Sequence, residues 1–150
     1  MKTRIIASSL IMISVLSIAC HKKAMKQTAD STPKTEAKTA QEVKVDPAAD
    51  MAATGSAYKL DSIALKGDVL SVFLNYSGGC KDHSFELVSN GMYAKSLPPQ
   101  LSLCLKHTGN DDMCKKLVMQ ELKFDISKVK YKGSSSLTVK LGEQSVVYTY

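Results

Sequence analysis

The chain has 150 residues, and 20 Lys and Arg against 14 Asp and Glu give it a formal net charge of +6. This length leaves room for one modest domain and an N-terminal extension, which argues against a large enzyme or a multi-pass membrane protein. The positive charge is mild and spread along the chain, and no arginine, the usual residue for bidentate phosphate recognition, follows Arg4, so the composition also argues against nucleic-acid binding.

The first 19 residues have the pattern of an export signal. Lys2 and Arg4 precede residues 5–18, which are uncharged and rich in Ile, Leu and Val. As a helix this run would be about 21 Å long, shorter than the roughly 30 Å hydrocarbon core of a bilayer. A small residue, Ala19, then comes directly before Cys20. The pattern predicts a signal peptide over residues 1–19 rather than a membrane-spanning helix.

Residues 16–20, Leu-Ser-Ile-Ala-Cys, resemble the lipobox of bacterial lipoproteins. The resemblance implies cleavage before Cys20 and attachment of diacylglycerol to its sulfur, and stable anchoring needs more than one acyl chain. No acidic residue directly follows Cys20. By the same resemblance we expect a lipid-anchored protein of the bacterial cell envelope, in the outer membrane and facing the periplasm. The alternative is an ordinary secretory signal with an incidental cysteine.

Residues 20–55 follow as a segment of low complexity. They are rich in Lys, Thr, Ala, Glu, Asp and Gln, contain Pro33 and Pro47, and include no aromatic residue. Such a segment cannot bury enough apolar surface to offset the entropy lost on ordering. The sequence therefore predicts a disordered tether over residues 20–55 and a folded domain over residues 56–150.

The domain reads as a series of short strands separated by turns. Apolar and β-branched residues alternate with polar ones, which predicts strands over residues 58–65, 69–76, 84–89, 101–106, 137–141 and 145–150. Residues 113–124 have both helical and strand spacing, and we favour a strand. Asn90-Gly91 is typical of a tight hairpin, with residues 92–96 as a short return strand. The pattern predicts an all-β fold, either a small antiparallel, immunoglobulin-like β-sandwich or an open barrel.

Three cysteines remain after Cys20. The environment of an exported protein is oxidising, so we expect two of them to form a disulfide. Cys104 lies inside an alternating strand, where it can serve as a small apolar residue. Cys80 and Cys114 each lie beside a turn rich in Gly or Asp, where the backbone can meet disulfide geometry. Of the possible pairings we favour Cys80–Cys114.

A metal site is the alternative use of the same residues. Cys80 and His83, and likewise Cys104 and His107, have Cys-x-x-His spacing, and two Cys with two His would suit zinc or copper. Residues three apart on a strand point to opposite faces, so a strand does not bring such a pair to one ion. If a metal binds, His83 and His107 with an aspartate are the candidate ligands. We otherwise expect no cofactor, and surface or hydrogen-bonding roles for both histidines.

Residues 76–85, together with residues 105–107, 112–114 and 122–126, resemble small NigD-like bacterial lipoproteins of unknown function. The resemblance covers residues 70–125 and implies no catalytic residues. The chain also contains no nucleophile elbow, phosphate-binding loop or metalloprotease motif. The sequence therefore predicts a non-enzymatic binding or structural domain, attached to the membrane through its lipid anchor and contacting a protein or small ligand. A periplasmic metal-binding lipoprotein is the alternative.

Overall fold

The computed structural model describes residues 39–150. The predicted signal peptide, the lipidated Cys20 and most of the predicted tether lie outside these residues. No helix in the described part of the chain is long and apolar enough to cross a membrane. The strands are β1 (Gln41–Glu42), β2 (Lys44–Val45), β3 (Lys59–Lys66), β4 (Val69–Gly78), β5 (Ser84–Ala94), β6 (Gln100–Thr108), β7 (Lys116–Asp125), β8 (Ser136–Leu141) and β9 (Gln144–Thr149), with one 3₁₀ turn at Ser127–Val129.

The strands form two sheets, which confirms the predicted all-β sandwich. The first sheet has the order β1-β7-β4-β3, and the second has the order β2-β5-β6-β8-β9. The pairing is not purely antiparallel as predicted, because β1–β7, β2–β5 and β6–β8 are parallel. For β6 and β8 the reason is topological. Between them β7 runs back along the other sheet, so β8 starts at the same end of the sandwich as β6.

The core lies between the two sheets and follows from the alternation within the strands. Along β4 the burial alternates from Val69 to Gly78, and every second residue points inward. Tyr148 and Phe124 are the largest fully buried side chains. The hydroxyl of Tyr148 donates a hydrogen bond to Asp68 Oδ1 at 2.5 Å, so its polar end is satisfied at the edge of the core.

Strand β5 corrects the hairpin predicted at Asn90-Gly91. The strand continues through both residues to Ala94, and the pairing with β6 is irregular between Ser89 and Tyr93. A type I′ hairpin turn needs positive φ at two successive residues, and here Gly91 has φ 71° while Asn90 does not have positive φ. The dipeptide therefore produces an irregularity within one long strand, and the reversal comes at residues 95–99.

The ambiguous stretch at residues 113–124 is a strand, as favoured from the sequence, but it begins only at Lys116 and runs to Asp125. Its first residues belong to a loop that Cys114 ties to another loop. This tertiary link removes them from the sheet.

The folded domain begins before residue 56, so the predicted extent of the tether is wrong for residues 41–55. Gln41 and Glu42 pair with β7 in one sheet, and Lys44 and Val45 pair with β5 in the other. Val43 between them is only 2% exposed and belongs to the core. This segment lacks the composition of a strand, but one buried valine and pairing to both sheets hold it in place.

Residues 46–56 then cross the outer face of the second sheet as a strap. The N–H of Asp46 donates to the carbonyl of Ser89 on β5. Farther along, the strap pairs with β6 at His107. The N–H of His107 donates to Thr54 O, and the N–H of Ser56 donates to His107 O, each at 2.8 Å. Beneath the strap lies Cys104, which is 4% exposed although it is on the outer face of its strand.

We expect the exchange of Val43 for alanine to show that this early segment is part of the fold. Val43→Ala removes buried apolar surface and leaves a cavity, so it should lower the free energy of unfolding by about 2 kcal/mol. Val45→Ala is the matched control, since Val45 is 47% exposed, and should cost about 0.5 kcal/mol or less. Urea unfolding of the full chain measures both. Equal effects of the two exchanges would show that residues 41–45 are not part of the cooperative domain.

Candidate functional site

The residues singled out from the sequence meet at one end of the sandwich, which we call the disulfide end. It consists of residues 77–84, between β4 and β5, and residues 108–116, between β6 and β7. Cys80 and Cys114 form the favoured disulfide, with Cα atoms 5.9 Å apart and a sequence separation of 34. A closed loop of this length stabilises a domain by about 3–4 kcal/mol in the chain-entropy model.

Cys104 is the free cysteine of the described residues, and it is buried. Burial raises the pKa of its thiol. A thiol that ionises less readily is a poor nucleophile and a poor metal ligand. Cys104 therefore serves as a small apolar residue beneath the strap, as one of the sequence interpretations held.

The carboxylate of Asp112 organises both loops of the disulfide end. Its Oδ1 accepts the N–H of Cys114, and its Oδ2 accepts the N–H groups of Cys80 and Lys81, each at 2.9 Å. The side chain is only 1% exposed. These hydrogen bonds, that from Cys114 foremost, hold the pKa of Asp112 well below its usual value. One ionised carboxylate thus fixes both sides of the disulfide.

Further hydrogen bonds clamp the same two loops together. The ammonium group of Lys81 donates to the carbonyls of Asn110 and Asp111 at 2.8 and 3.1 Å. The side-chain amide of Asn110 donates to Asp82 O at 2.6 Å. Asn110 and Asp111 both have positive φ, 49° and 53°, a conformation that Asn and Asp tolerate better than most residues. The loops are therefore held in one conformation.

Two buried histidines extend the network from Asp112 into the core. His83 Nε2 lies 3.3 Å from Asp112 Oδ2, and His83 Nδ1 lies 2.7 Å from His107 Nε2. His107 Nδ1 in turn lies 3.1 Å from the carbonyl oxygen of Ser56 in the strap. The imidazole of His83 is 4% exposed, and His107 as a whole is 3% exposed. These contacts, from Asp112 through His83 and His107 to Ser56, link both loops of the disulfide end, strand β6 and the strap.

The protonation of the His83 and His107 imidazoles follows from the hydrogen-bond acceptors that they face. The Ser56 carbonyl and the Asp112 carboxylate only accept, so each needs an N–H from its imidazole, and the contact between the rings needs one more proton. Two neutral imidazoles carry one N–H each, so all three hydrogen bonds form together when the pair holds one positive charge. Burial, followed by the neighbouring charge of His83, lowers the pKa of His107. Burial and the charge of His83 thus both oppose a second positive charge on the two imidazoles.

Aromatic rings and one glycine enclose the histidines. Phe85 stacks on His107 with ring centroids 4.3 Å apart and planes 6° from parallel, and the ring of Tyr76 lies 4.4 Å from that of His83. A Cβ atom at Gly78 would lie 2.6 Å from His83 Nε2, so only glycine lets strand β4 approach this closely. The backbone of β4 at Gly78 therefore lies directly against the imidazole of His83.

The predicted metal ligands are brought together, but their arrangement is that of a hydrogen-bonded pair. Two nitrogens on one tetrahedral zinc ion lie about 3.3 Å apart, given Zn–N distances of about 2.0–2.1 Å, whereas the facing nitrogens of His83 and His107 are 2.7 Å apart. The other ligand-like group of the described residues joins Cys80, Asp112 and Cys114, and its sulfurs are bonded to each other. A zinc or copper ion at His83 and His107 remains a prediction, and would have to displace this hydrogen bond.

The same contacts limit catalysis by the histidines. A general base needs a ring nitrogen within reach of a substrate proton. Each of the four ring nitrogens of His83 and His107 already faces a partner in the described part of the chain. The two histidines can hold a proton and join segments of the fold, but neither has a ring nitrogen left to accept a proton from a substrate.

Beside the disulfide end lies a feature that sequence reasoning missed, which we call the apolar face. It comprises Phe73, Met113, Leu117 and Met119, which are 36%, 88%, 64% and 77% exposed. Leu117 and Met119 lie on the outer side of β7, and Phe73 lies on the same side of β4, diagonal to Met119. The signal in the sequence is the unbroken apolar run at residues 117–119, because a strand with one buried face cannot bury all three.

A cavity of about 320 Å³ lies away from the apolar face, between the start of β3 and the β8–β9 turn. Its walls include Tyr58, Leu60 and Glu143. This volume is near the lower limit of small-molecule sites, and such sites usually carry several convergent polar groups. Its lining mixes the polar residues Thr54, Glu143 and Gln144 with apolar ones, and because of its small volume we consider it a weaker candidate for a binding site than the apolar face.

Comparison with known proteins shows a shared fold. No family model matches the chain, and no curated protein matches it. The chain is similar to the crystal structure of a NigD-like immunity protein from Bacteroides caccae, with a TM-score of 0.51 and 20% identity over 69% of this chain and 53% of that chain. A protein of unknown function, DUF1344, from Bacteroides vulgatus gives a TM-score of 0.49 at 14% identity over 74% and 55%. A putative toxin-related protein from Parabacteroides distasonis gives 0.43 at 15% identity over 74% and 60%.

The chain thus spans between half and two thirds of the length of these proteins. The likeness to the NigD-like protein shows that the β-fold recurs there. The predicted NigD-like resemblance therefore extends to the fold.

We expect the stability of the domain to fall in two stages as the pH is lowered. The pKa of His107 is lowered from its usual 6.5, so the unfolded chain binds more protons below that pH and stability declines. The pKa of Asp112 is lowered from 3.8, so its contribution is present above that pH and is lost as the pH falls further. Urea unfolding as a function of pH measures both stages.

Asp112→Asn should be less stable than the wild type at neutral pH, and the difference should shrink as the pH falls below 3.8. Asp111→Asn is the matched control, because Asp111 is the exposed neighbour and its left-handed backbone also suits asparagine. Its stability should follow the wild type at every pH. Parallel curves for wild type and Asp112→Asn would contradict the role given to this carboxylate.

Proposed function

We propose that this protein is a lipid-anchored binding protein of the bacterial cell envelope, and that its β-sandwich binds another protein through the apolar face. One observation carries the proposal: exposed apolar side chains are held on a rigid support, one by the cross-linked loops of the disulfide end and three by the adjoining strands β4 and β7. Met113, 88% exposed, lies between Asp112 and Cys114, the two residues that fix the loop. An exposed methionine in a flexible loop needs no explanation, whereas one held in place by a disulfide and a buried carboxylate does.

The composition of the apolar face suits a protein partner. Methionine and aromatic residues are enriched at the centres of protein interfaces, where charged residues are depleted. On the same outer face, Asn75 lies directly opposite Met119 and Glu121 directly opposite Phe73, so polar side chains adjoin the apolar ones and would contribute hydrogen bonds to a partner. Because the loops are already ordered, binding costs less conformational entropy than it would for a mobile loop.

The position of the N-terminus supports presentation of this surface away from the membrane. Gln41 pairs with Phe124, near the last residue of β7, whereas the disulfide end adjoins Lys116, the first residue of the same strand. Eight residues of strand separate the two points, which is about 27 Å at roughly 3.4 Å per residue. A chain anchored through Cys20 therefore joins the sandwich at the end opposite the disulfide. We call the end at which β1 joins the attachment end.

The NigD-like neighbour is described as an immunity protein. Immunity by binding a toxic protein at the envelope is one form that the proposed activity could take. The proposal needs only a protein partner at the apolar face.

Replacement of the lipidated cysteine tests the anchor. Cys20→Ser should move the protein from the membrane fraction to the soluble periplasmic fraction, because the sulfur is the site of acylation in a lipobox. Cys104→Ser is the matched control, and this variant should stay in the membrane fraction. Cell fractionation, with intact-mass analysis of the mature chain, gives the result. If Cys20→Ser and the wild type fractionate alike, the protein is not a lipoprotein.

Site-specific photocrosslinking tests the binding surface. A photoreactive phenylalanine analogue at Met113 or Met119 should give one discrete cross-linked species of the same mass in cells that produce the protein. The same analogue at Lys140, exposed on β8, is the control and should give none. A lack of adducts at all three positions, or identical adducts at Lys140, would contradict binding through the apolar face.

A further inference from the structure

We infer that the attachment end of the sandwich docks onto an anionic membrane surface through Lys95, Leu97, Tyr131 and Lys132. These four residues are called the docking surface. The inference rests on the proposed N-terminal anchor and gives that anchor a second contact. It assigns the end of the molecule opposite the disulfide end to the lipid.

The docking surface is one contiguous region at the attachment end. Lys95 and Leu97 lie in the turn between β5 and β6, and Tyr131 and Lys132 lie between the 3₁₀ turn and β8. Tyr93, two residues before Lys95, joins them. Its hydroxyl donates to the carbonyl of Val129 at 3.0 Å, and its ring lies 5.0 Å from the ring of Tyr131.

Two of these side chains present apolar surface that the fold holds outward. Leu97 is 99% exposed in a turn closed by hydrogen bonds from Ser96, whose N–H donates to Ala94 O at 3.0 Å and whose hydroxyl donates to Pro98 O at 2.7 Å. Tyr131 is 38% exposed, and its N–H donates to the hydroxyl of Tyr150 at 2.7 Å. Leucine and tyrosine are residues that partition into the interfacial layer of a bilayer.

The charges of the same end select an anionic partner. Lys128 is paired with Glu42, and Lys130 with Asp68. The third acid of this end, Asp125, accepts the N–H of Ser127. Lys95 and Lys132 form no ion pair with any residue of the part of the chain that the structure describes. Two exposed ammonium groups flank the apolar side chains, an arrangement that suits acidic lipid headgroups.

The bilayer is favoured over an acidic protein because of where the chain leads. Between Cys20 and Gln41 there are 20 residues, which span at most about 70 Å when fully extended. A lipid on Cys20 would therefore keep the attachment end near a membrane at all times. Tethering of this kind raises the effective concentration of the surface to about the millimolar range, so that contacts too weak to bind a free domain become occupied.

The absence of tryptophan from the sequence allows a direct test. Leu97→Trp places a single fluorescent reporter on the docking surface, and Met113→Trp places a matched reporter, 88% exposed, at the disulfide end. Each mature chain, with a hexahistidine segment in place of Cys20, is attached to vesicles through a nickel-chelating lipid. The vesicles are phosphatidylcholine with or without phosphatidylglycerol, and a second set carries brominated acyl chains as quenchers.

On vesicles with phosphatidylglycerol, the Leu97→Trp emission should shift to shorter wavelength and be quenched by the brominated chains. Met113→Trp should show neither change. Removal of phosphatidylglycerol, or salt at about 1 M, where the Debye length is about 3 Å, should reverse the effect. Equal responses of the two reporters, no response of either, or a response independent of phosphatidylglycerol would overturn the inference.

Lysine exchanges give the second arm of the experiment in the Leu97→Trp background. Lys95→Gln and Lys132→Gln should each lower the ratio of docked to undocked chain about fivefold, since each removes one cation near the surface. Lys140→Gln is the control and should have no effect. Equal effects of all three exchanges would also overturn the inference. In this experiment the chain is attached through the hexahistidine segment and not through an acylated Cys20. A negative result for docking therefore says nothing about acylation of Cys20, and a negative result for acylation does not change the outcome for docking.

Discussion

The buried carboxylate of Asp112 is the interaction on which the disulfide end depends. It accepts backbone hydrogen bonds from both sides of the Cys80–Cys114 disulfide and lies against His83. A buried ion is costly unless hydrogen bonds replace its hydration, and here the backbone donors of two loops do so. The same carboxylate gives the imidazole pair of His83 and His107 a negative neighbour. The disulfide, the loops and the buried histidines are thus parts of one network.

The N-terminal segment extends this network along the length of the sandwich. Val43 inserts between the sheets, and the strap that follows reaches His107 through the Ser56 carbonyl. A segment of ordinary polar composition is ordered because both of its ends are held by the sheets. The result is a domain with two different ends. At one end β1 joins the first sheet, and Lys95 and Lys132 form no ion pair among residues 39–150, whereas the other end has a rigid pair of loops with the exposed Met113.

Alternation along the strands made much of the fold predictable, since burial of one face leaves its mark on every second residue. The predictions failed where a local pattern had two outcomes. Asn90-Gly91 forms an irregularity within β5 because the sheet continues past it, and residues 41–45 form strands because both sheets offer an edge. Cys80 and Cys114 were paired correctly because flexible turns flank both of them. The exposed apolar face was missed because periodicity does not show which apolar residues have no partner.

Short-range patterns in the sequence were enough to predict the all-β class, most strand positions and the favoured cysteine pair. The sequence also indicated His83 and His107, together with an aspartate, as candidate metal ligands. The fold shows in addition that their nitrogens face each other at 2.7 Å and that the aspartate is Asp112. Which atoms meet is set by the register of strands from two sheets and by the path of the strap, and residues far apart in sequence fix both.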